Sequence, residues 1–184
     1  MRVVIIGMPN SGKTTLLKKL QDAGAKVFHA DSFINKEYLV GGKGYNIIKE
    51  WFDPSFITPK AVNRKVLAKW VLQDPDNLIR LDELIHPIIK DYLEGKDNYV
   101  AELPIITNSP IKFEFDKIIL VTAGKETIRK RMITKGQNPD FLQLMVDKWD
   151  NNIAFDYVVD TTNGISDDVI QEIIQKFNLV HETK

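Results

Sequence analysis

The chain opens on an unbroken apolar run, Val3-Val4-Ile5-Ile6. A polar, glycine-containing segment follows. Then comes Thr14-Thr15-Leu16-Leu17-Lys18-Lys19-Leu20, whose leucines recur at helical spacing. This pattern predicts a buried strand over about residues 2–6 and a helix over about 13–23, stopped near Gly24. The alternation then repeats. Lys26-Val27-Phe28-His29, Tyr99-Val100-Ala101-Glu102, Lys117-Ile118-Ile119-Leu120-Val121 and Tyr157-Val158-Val159-Asp160 read as four further short strands. Helical patterns over 43–52, 60–73 and about 74–94 set Trp51, Phe52, Leu67, Trp70 and Val71 on apolar faces, and Pro87 is expected to start a new helical turn after His86. Residues 126–135 form a charge-rich helix broken by Gln137-Asn138-Pro139-Asp140. Residues 140–152 and 165–177 read as helices again, and Trp51, Trp70 and Trp149 read as core.

Strands separated by helices predict an α/β architecture, a five-stranded parallel sheet between helical layers. No linker is long enough to separate domains, so 1–184 reads as one domain. Its core is 1–34, 97–122 and 153–184. The helical stretch at about 35–96 is too long for a simple crossover and reads as an insertion that covers a substrate, with a lid at about 123–152. Ligands of such sheets sit at the carboxyl ends of the strands. The candidate site is therefore the loop after the first strand, Asp31, Glu102 to Thr107, and Thr122 to Lys125.

The loop after the first strand carries the most specific signal. Gly7-Met8-Pro9-Asn10-Ser11-Gly12-Lys13-Thr14 fits G-x-x-x-x-G-K-[ST], the phosphate-binding P-loop. Its glycines let the backbone wrap a diphosphate closely. Amides of Asn10, Ser11, Gly12, Lys13, Thr14 and Thr15 would then face the anion at a helix N-terminus. Lys13 adds a charge for the β- and γ-phosphates, and the Thr14 hydroxyl is placed to ligate Mg²⁺. Asp31, shortly after the second strand, is either the base for an attacking hydroxyl or a helix N-cap, a role Ser32 could equally fill.

Charge and composition narrow the partners. The 25 basic and 25 acidic residues cancel, which gives no whole-chain case for nucleic acid or an anionic membrane. The absence of cysteine excludes disulfides, thiolate metal sites and cysteine nucleophiles. No apolar run approaches the roughly 20 residues of a membrane span. These features read as a soluble cytoplasmic protein, a monomer or weak oligomer. Arginine occurs only at positions 2, 64, 80, 129 and 131. Its planar fork suits phosphate, so these few positions are worth tracking. Arg129 and Arg131 do not share a helix face, so one of them suffices for phosphate.

Read onward from Asp31, the chain resembles the dephospho-CoA kinase family. The carrying segments are His29-Ala30-Asp31, Asn63-Arg64-Lys65-Val66-Leu67, Leu81-Asp82-Glu83-Leu84-Ile85-His86-Pro87, Glu102-Leu103-Pro104-Ile105-Ile106, Asp116-Lys117-Ile118-Ile119-Leu120-Val121 and Val158-Val159-Asp160-Thr161-Thr162-Asn163-Gly164, in order over about 1–164. The chain departs from the family pattern at several positions. His29 and Asn63 stand where the family has aspartate, Glu102 replaces aspartate, and Thr107-Asn108 replaces Phe-Glu. Lys148 and Asn151 stand where the family often has arginine. The resemblance implies a P-loop kinase that transfers the γ-phosphate of ATP, with Mg²⁺, to the ribose 3′-hydroxyl of dephospho-CoA. It implies Lys13 and Asp31 as catalytic residues, with Arg129 and Arg131 on the nucleotide, Lys135 a further lid cation, and Asp31, Arg64, His86, Glu102 and Pro104 on the substrate. From the residues alone, His86 reads first as structural, Arg64 as a surface charge, and Glu102 as a solvated carboxylate or a residue near the metal. Two other readings stay open: a kinase for a nucleoside or nucleotide, and a nucleotide-dependent regulatory protein. A GTPase is disfavoured, because Asn35-Lys36-Glu37-Tyr38 lacks the aspartate of the base-reading motif.

Overall fold

The computed structural model describes residues 1–103, 112–137 and 153–180. The expected helix over 140–152, the second half of the expected lid, Pro104, Thr107-Asn108, Lys148, Trp149 and Asn151 lie outside the described residues. The described chain forms two compact units. One comprises Met1–His29, 97–103, 114–137 and 153–180; the other is Ala30–Lys96 with 112–113.

The first unit is built on five parallel strands: β1 (Arg2–Gly7), β2 (Val27–His29), β3 (Tyr99–Glu102), β4 (Lys117–Thr122) and β5 (Tyr157–Asp160), in the order β2-β3-β1-β4-β5. The chain's first strand is thus the centre of the sheet. That explains its unbroken apolar run: Val3, Val4, Ile5 and Ile6 are buried on both faces, as strands of covered parallel sheets are. Val3 pairs with Val100 of β3, and Ile5 with Ile119 of β4. Helices α1 (Lys13–Asp22) and α7 (Asp167–Phe177) cover the sheet through Leu16, Leu17, Leu20, Ile170, Ile173 and Phe177. Helix α6 (Lys125–Thr134) buries Ile128 and Met132. Parallel pairing brings the carboxyl ends of all five strands to one edge. His29 lies opposite Glu102, Gly7 opposite Val121, and Thr122 opposite Asp160.

The second unit is helical: α2 (Ala30–Glu37), α3 (Lys43–Trp51), a single 3₁₀ turn (Pro54–Phe56), α4 (Arg64–Gln73) and α5 (Pro75–Leu93). Its core gathers Tyr38, Tyr45, Ile48, Phe56, Val62, Leu67, Ile85 and Ile88, with Phe52 and Trp70 edge to face at 4.8 Å.

Four local readings need correction. Helix α4 starts at Arg64 and not near 60, because Ala61 and Val62 bridge to Leu39 and Ile57, and the Asn63 side chain accepts from Val66 N to cap the helix. Asparagine and aspartate are equivalent N-caps, so the departure at position 63 costs the helix nothing. Pro87 does not start a new turn: it lies inside the continuous helix α5, whose flanking Ile85, Ile88 and Ile89 are buried and hold the helix across the missing N–H. Helix α2 begins at Ala30, directly after β2, so Asp31 sits in its first turn and not ahead of it. Trp51 is 67% exposed and is not core. Tyr45 and Ile48 take the buried face of α3, and the chain turns at Phe52, which enters the core in its place.

Candidate active site

Between β1 and α1 the backbone does what the motif requires. Gly12 takes φ 104°, a left-handed conformation that disfavours any side chain. Gly7 is confined differently. A Cβ there would lie 2.3 Å from the Val121 carbonyl oxygen, so only glycine lets β1 pass so close to β4 at its carboxyl end. Asn10, also left-handed at φ 61°, is one of the few residue types that tolerates this.

Lys13 and Thr14, at the end of the loop, are both engaged. Lys13 Nζ donates to the carbonyls of Gly7 (2.9 Å) and Met8 (3.0 Å), which holds the ammonium over the loop. Thr14 Oγ1 donates to Glu102 Oε1 at 3.0 Å, joining the first turn of α1 to the end of β3. Thr15 is exposed on that same turn. Ser11 is fully buried, and its hydroxyl makes no hydrogen bond to a described residue.

Helix α6 reaches the loop from the other side. Arg131 Nη1 donates to the Asn10 carbonyl (3.1 Å) and to Thr161 Oγ1 (2.9 Å), while Nη2 donates to the Thr161 carbonyl (2.7 Å). Lys135 Nζ donates to Asn10 Oδ1 at 2.9 Å, and Asn10 Nδ2 donates to Gln137 Oε1 at 2.8 Å. Arg129, two residues before Arg131, is exposed and makes no hydrogen bond to a described residue. Of the two arginines, Arg131 contacts the loop. Thr161 is absent from the sequence-based candidates, although it follows the fifth strand directly. The carboxyl-end rule points to it as clearly as to the residues after the other strands.

The remaining candidates belong to the helical unit. Asp31 is exposed in the first turn of α2, where the helix dipole favours its carboxylate, and it makes no hydrogen bond to a described residue. Arg64, the first residue of α4, donates to Asn35 Oδ1, and its guanidinium lies 5.5 Å from the centre of the Tyr38 ring. Tyr38 is buried, and burial pushes its phenol up to about 12, so it stays protonated at neutral pH. Neither Asn35 nor Tyr38 carries a spacing signal that could have marked it.

His86 is buried in α5 with Nε2 3.3 Å from Asp82 Oδ1. Burial pushes its imidazole down to about 4, while the neighbouring carboxylate pulls the other way. Its folded-state value lies below the ordinary value of about 6.5. Stability from neutral His86 is therefore complete above about pH 6.5 and is lost as pH falls toward about 4. Between pH 7 and pH 5 the protein should lose about 1–2 kcal/mol through this group, read from urea unfolding. In His86→Asn that pH-dependent loss should shrink. An equal loss in the variant would place the sensitivity elsewhere.

Hard oxygen donors on Thr14 and Glu102, close together beside a loop with left-handed glycine backbone, fit a divalent cation bound with a polyphosphate. Among the described residues no group of three or more His, Cys, Asp or Glu could hold a metal ion. No described helix is long and apolar enough to cross a membrane.

Residues 1–145 match the family model for dephospho-CoA kinase. The dephospho-CoA kinase of Mycoplasma pneumoniae is 29% identical over 155 residues, covering 79% of this chain and 78% of the relative. Among solved structures, dephospho-CoA kinase from Campylobacter jejuni superposes with a TM-score of 0.54 at 19% identity, over 96% of this chain and 95% of that one. Shikimate kinase from Acinetobacter baumannii superposes at 0.56 with 14% identity, over 96% and 92%. The two structural matches show a shared P-loop kinase fold.

Proposed function

The chain belongs to the dephospho-CoA kinase family, and we propose how its own residues divide the reaction, ATP-dependent phosphorylation of the ribose 3′-hydroxyl of dephospho-CoA. The observation that carries the assignment is the glycine loop with Lys13 bridging its mouth and Thr14 bonded to Glu102, inside the segment that matches the family. Loop amides and Lys13 hold the ATP phosphates. Thr14 and Glu102 would hold Mg²⁺, which when bound would offset charge on the phosphate oxygens. Asp31 accepts the proton of the attacking hydroxyl. Arg64 and His86 serve the acceptor side. Because the phosphoryl transition state is loose, most of the rate comes from positioning and fixed electrostatics.

Incubation with ATP labelled at the γ-phosphate, Mg²⁺ and a panel of acceptors tests the assignment. Dephospho-CoA should be labelled in preference to nucleosides and nucleoside monophosphates. Transfer to a nucleoside at an equal or greater rate would overturn the acceptor and leave the fold intact.

The two cations of α6 and its end separate in role. The sequence-based expectation is that neither affects folding. For Arg131 this does not hold, because its three hydrogen bonds tie α6, the loop after β5 and the phosphate loop together. Arg131→Ala should cost on the order of 1–3 kcal/mol of stability as well as activity. Lys135 is exposed, so Lys135→Ala should shift stability by less than about 1 kcal/mol while lowering kcat. Thermal unfolding beside kinetics checks both. Equal melting temperatures for wild type and Arg131→Ala would remove Arg131 from the tie.

A further inference from the structure

The geometry points to Thr161 as a positioning residue for phosphoryl transfer: its hydroxyl sets the direction in which the Gly12 amide faces. The inference rests on the reading that this loop binds the phosphates of ATP.

Thr161 is 2% exposed and lies directly after β5. Its own N–H donates to the Thr122 carbonyl at 2.9 Å, which fixes it to the end of β4. Its hydroxyl donates to the Ser11 carbonyl at 2.5 Å and accepts from Arg131 Nη1 at 2.9 Å. A hydroxyl has one proton, and that proton is committed to Ser11 because the guanidinium can only donate. Arg131 therefore imposes the polarity of the Thr161 bond. The methyl and Cβ of Thr161 also pack against Gly12. A Cβ on Gly12 would lie 2.8–3.1 Å from Thr161 atoms, so the loop rests on this side chain with no space to spare.

The consequence follows from the planar trans peptide. The carbonyl of residue i and the N–H of residue i+1 point in opposite directions. Holding the Ser11 carbonyl toward Thr161 turns the Gly12 N–H away from it. The peptide before it is fixed at both ends, since the Asn10 carbonyl accepts from Arg131 and Ser11 N–H donates to the Met8 carbonyl at 3.1 Å. Gly12 N–H, by contrast, makes no hydrogen bond to a described residue. One peptide is locked internally, and the next presents its donor to the ligand. Preorganised donors of this kind act without reorganising during the reaction.

The test uses Thr161→Val, which keeps shape and packing but removes the donor, and Thr161→Ser, which keeps the donor. ATP affinity of Thr161→Val, measured by calorimetry with Mg²⁺, should fall about tenfold, the effect of one charge-assisted hydrogen bond. The KM for dephospho-CoA should be unchanged, and Thr161→Ser should bind ATP within about threefold of wild type. A purely structural role would lower the melting temperature of both variants without this split. ATP affinity of Thr161→Val equal to wild type, or Thr161→Ser as weak as Thr161→Val, would overturn the proposal. Should Thr161→Val not fold, the wild-type amide spectrum decides: the Gly12 proton should move downfield on saturation with ADP and Mg²⁺, and no movement would overturn it. A wild-type chain that binds no ATP would overturn the phosphate-loop reading itself, a result distinct from either variant outcome.

Discussion

Asp31→Asn is expected to lower kcat about 10²–10⁴-fold while ATP affinity stays near wild type. Asparagine matches the size of aspartate but cannot accept the proton of an attacking hydroxyl. The position suits a general base. It is exposed, in the first turn of α2, and engaged with no described residue, so its carboxylate is not committed to a structural bond. An N-cap role is excluded by the start of the helix at Ala30. Exposure and the favourable helix terminus also make the substitution cheap for folding, at most a few tenths of a kcal/mol to about 1 kcal/mol. A kinetic defect therefore cannot be ascribed to unfolding. Turnover near wild type in the folded variant would move the base to Glu102, whose carboxylate already accepts from Thr14.

Lys13→Ala should lower kcat about 10²–10³-fold and weaken ATP binding, with the protein still folded. The ammonium is held by the carbonyls of Gly7 and Met8, and on the proposed reading it faces the phosphates of ATP. Losing it removes both a counter-charge and a brace between Gly7 and Met8. Lys13→Arg distinguishes the two. It keeps the charge, but its planar fork cannot reproduce the compact geometry of an ammonium, so it should restore ATP binding more than turnover. Near-wild-type kcat in Lys13→Ala would contradict catalysis at this loop.

The strands and the glycine loop are legible in the sequence because each rests on a local signal. Val3 to Ile6 is unbroken and apolar because β1 is central, and the octet behind it has fixed spacing. What escapes the sequence is what tertiary contacts decide. Pro87 stays helical because buried isoleucines on both sides outweigh one missing hydrogen bond. Trp51 is displaced from the core by Phe52, a choice that spacing alone does not make. Helical spacing separates the faces of Arg129 and Arg131, but it does not reveal that Asn10 and Thr161 lie against the second. Thr161 itself belongs to no motif. Its meaning comes from the loop after β5 reaching the loop after β1 past the end of the intervening β4, which is a property of strand order.

That strand order also governs how the polypeptide emerges from the ribosome. Of the five described strands, the first to be made is the one that finally needs neighbours on both sides, and these neighbours are encoded at 99–102 and 117–122. At 5–20 residues per second, Val3 to Ile6 waits on the order of ten seconds for its second partner. Throughout that interval an apolar, unpaired β-segment is exposed on the nascent chain, the kind of segment that chaperones bind. The helices encoded by Ala30–Lys96 have no such delay, because their partners lie almost entirely within their own stretch of message. Vectorial synthesis thus favours early compaction of the helical unit and late closure of the sheet. The contacts of the phosphate loop with Thr161 form only after β5 has been made.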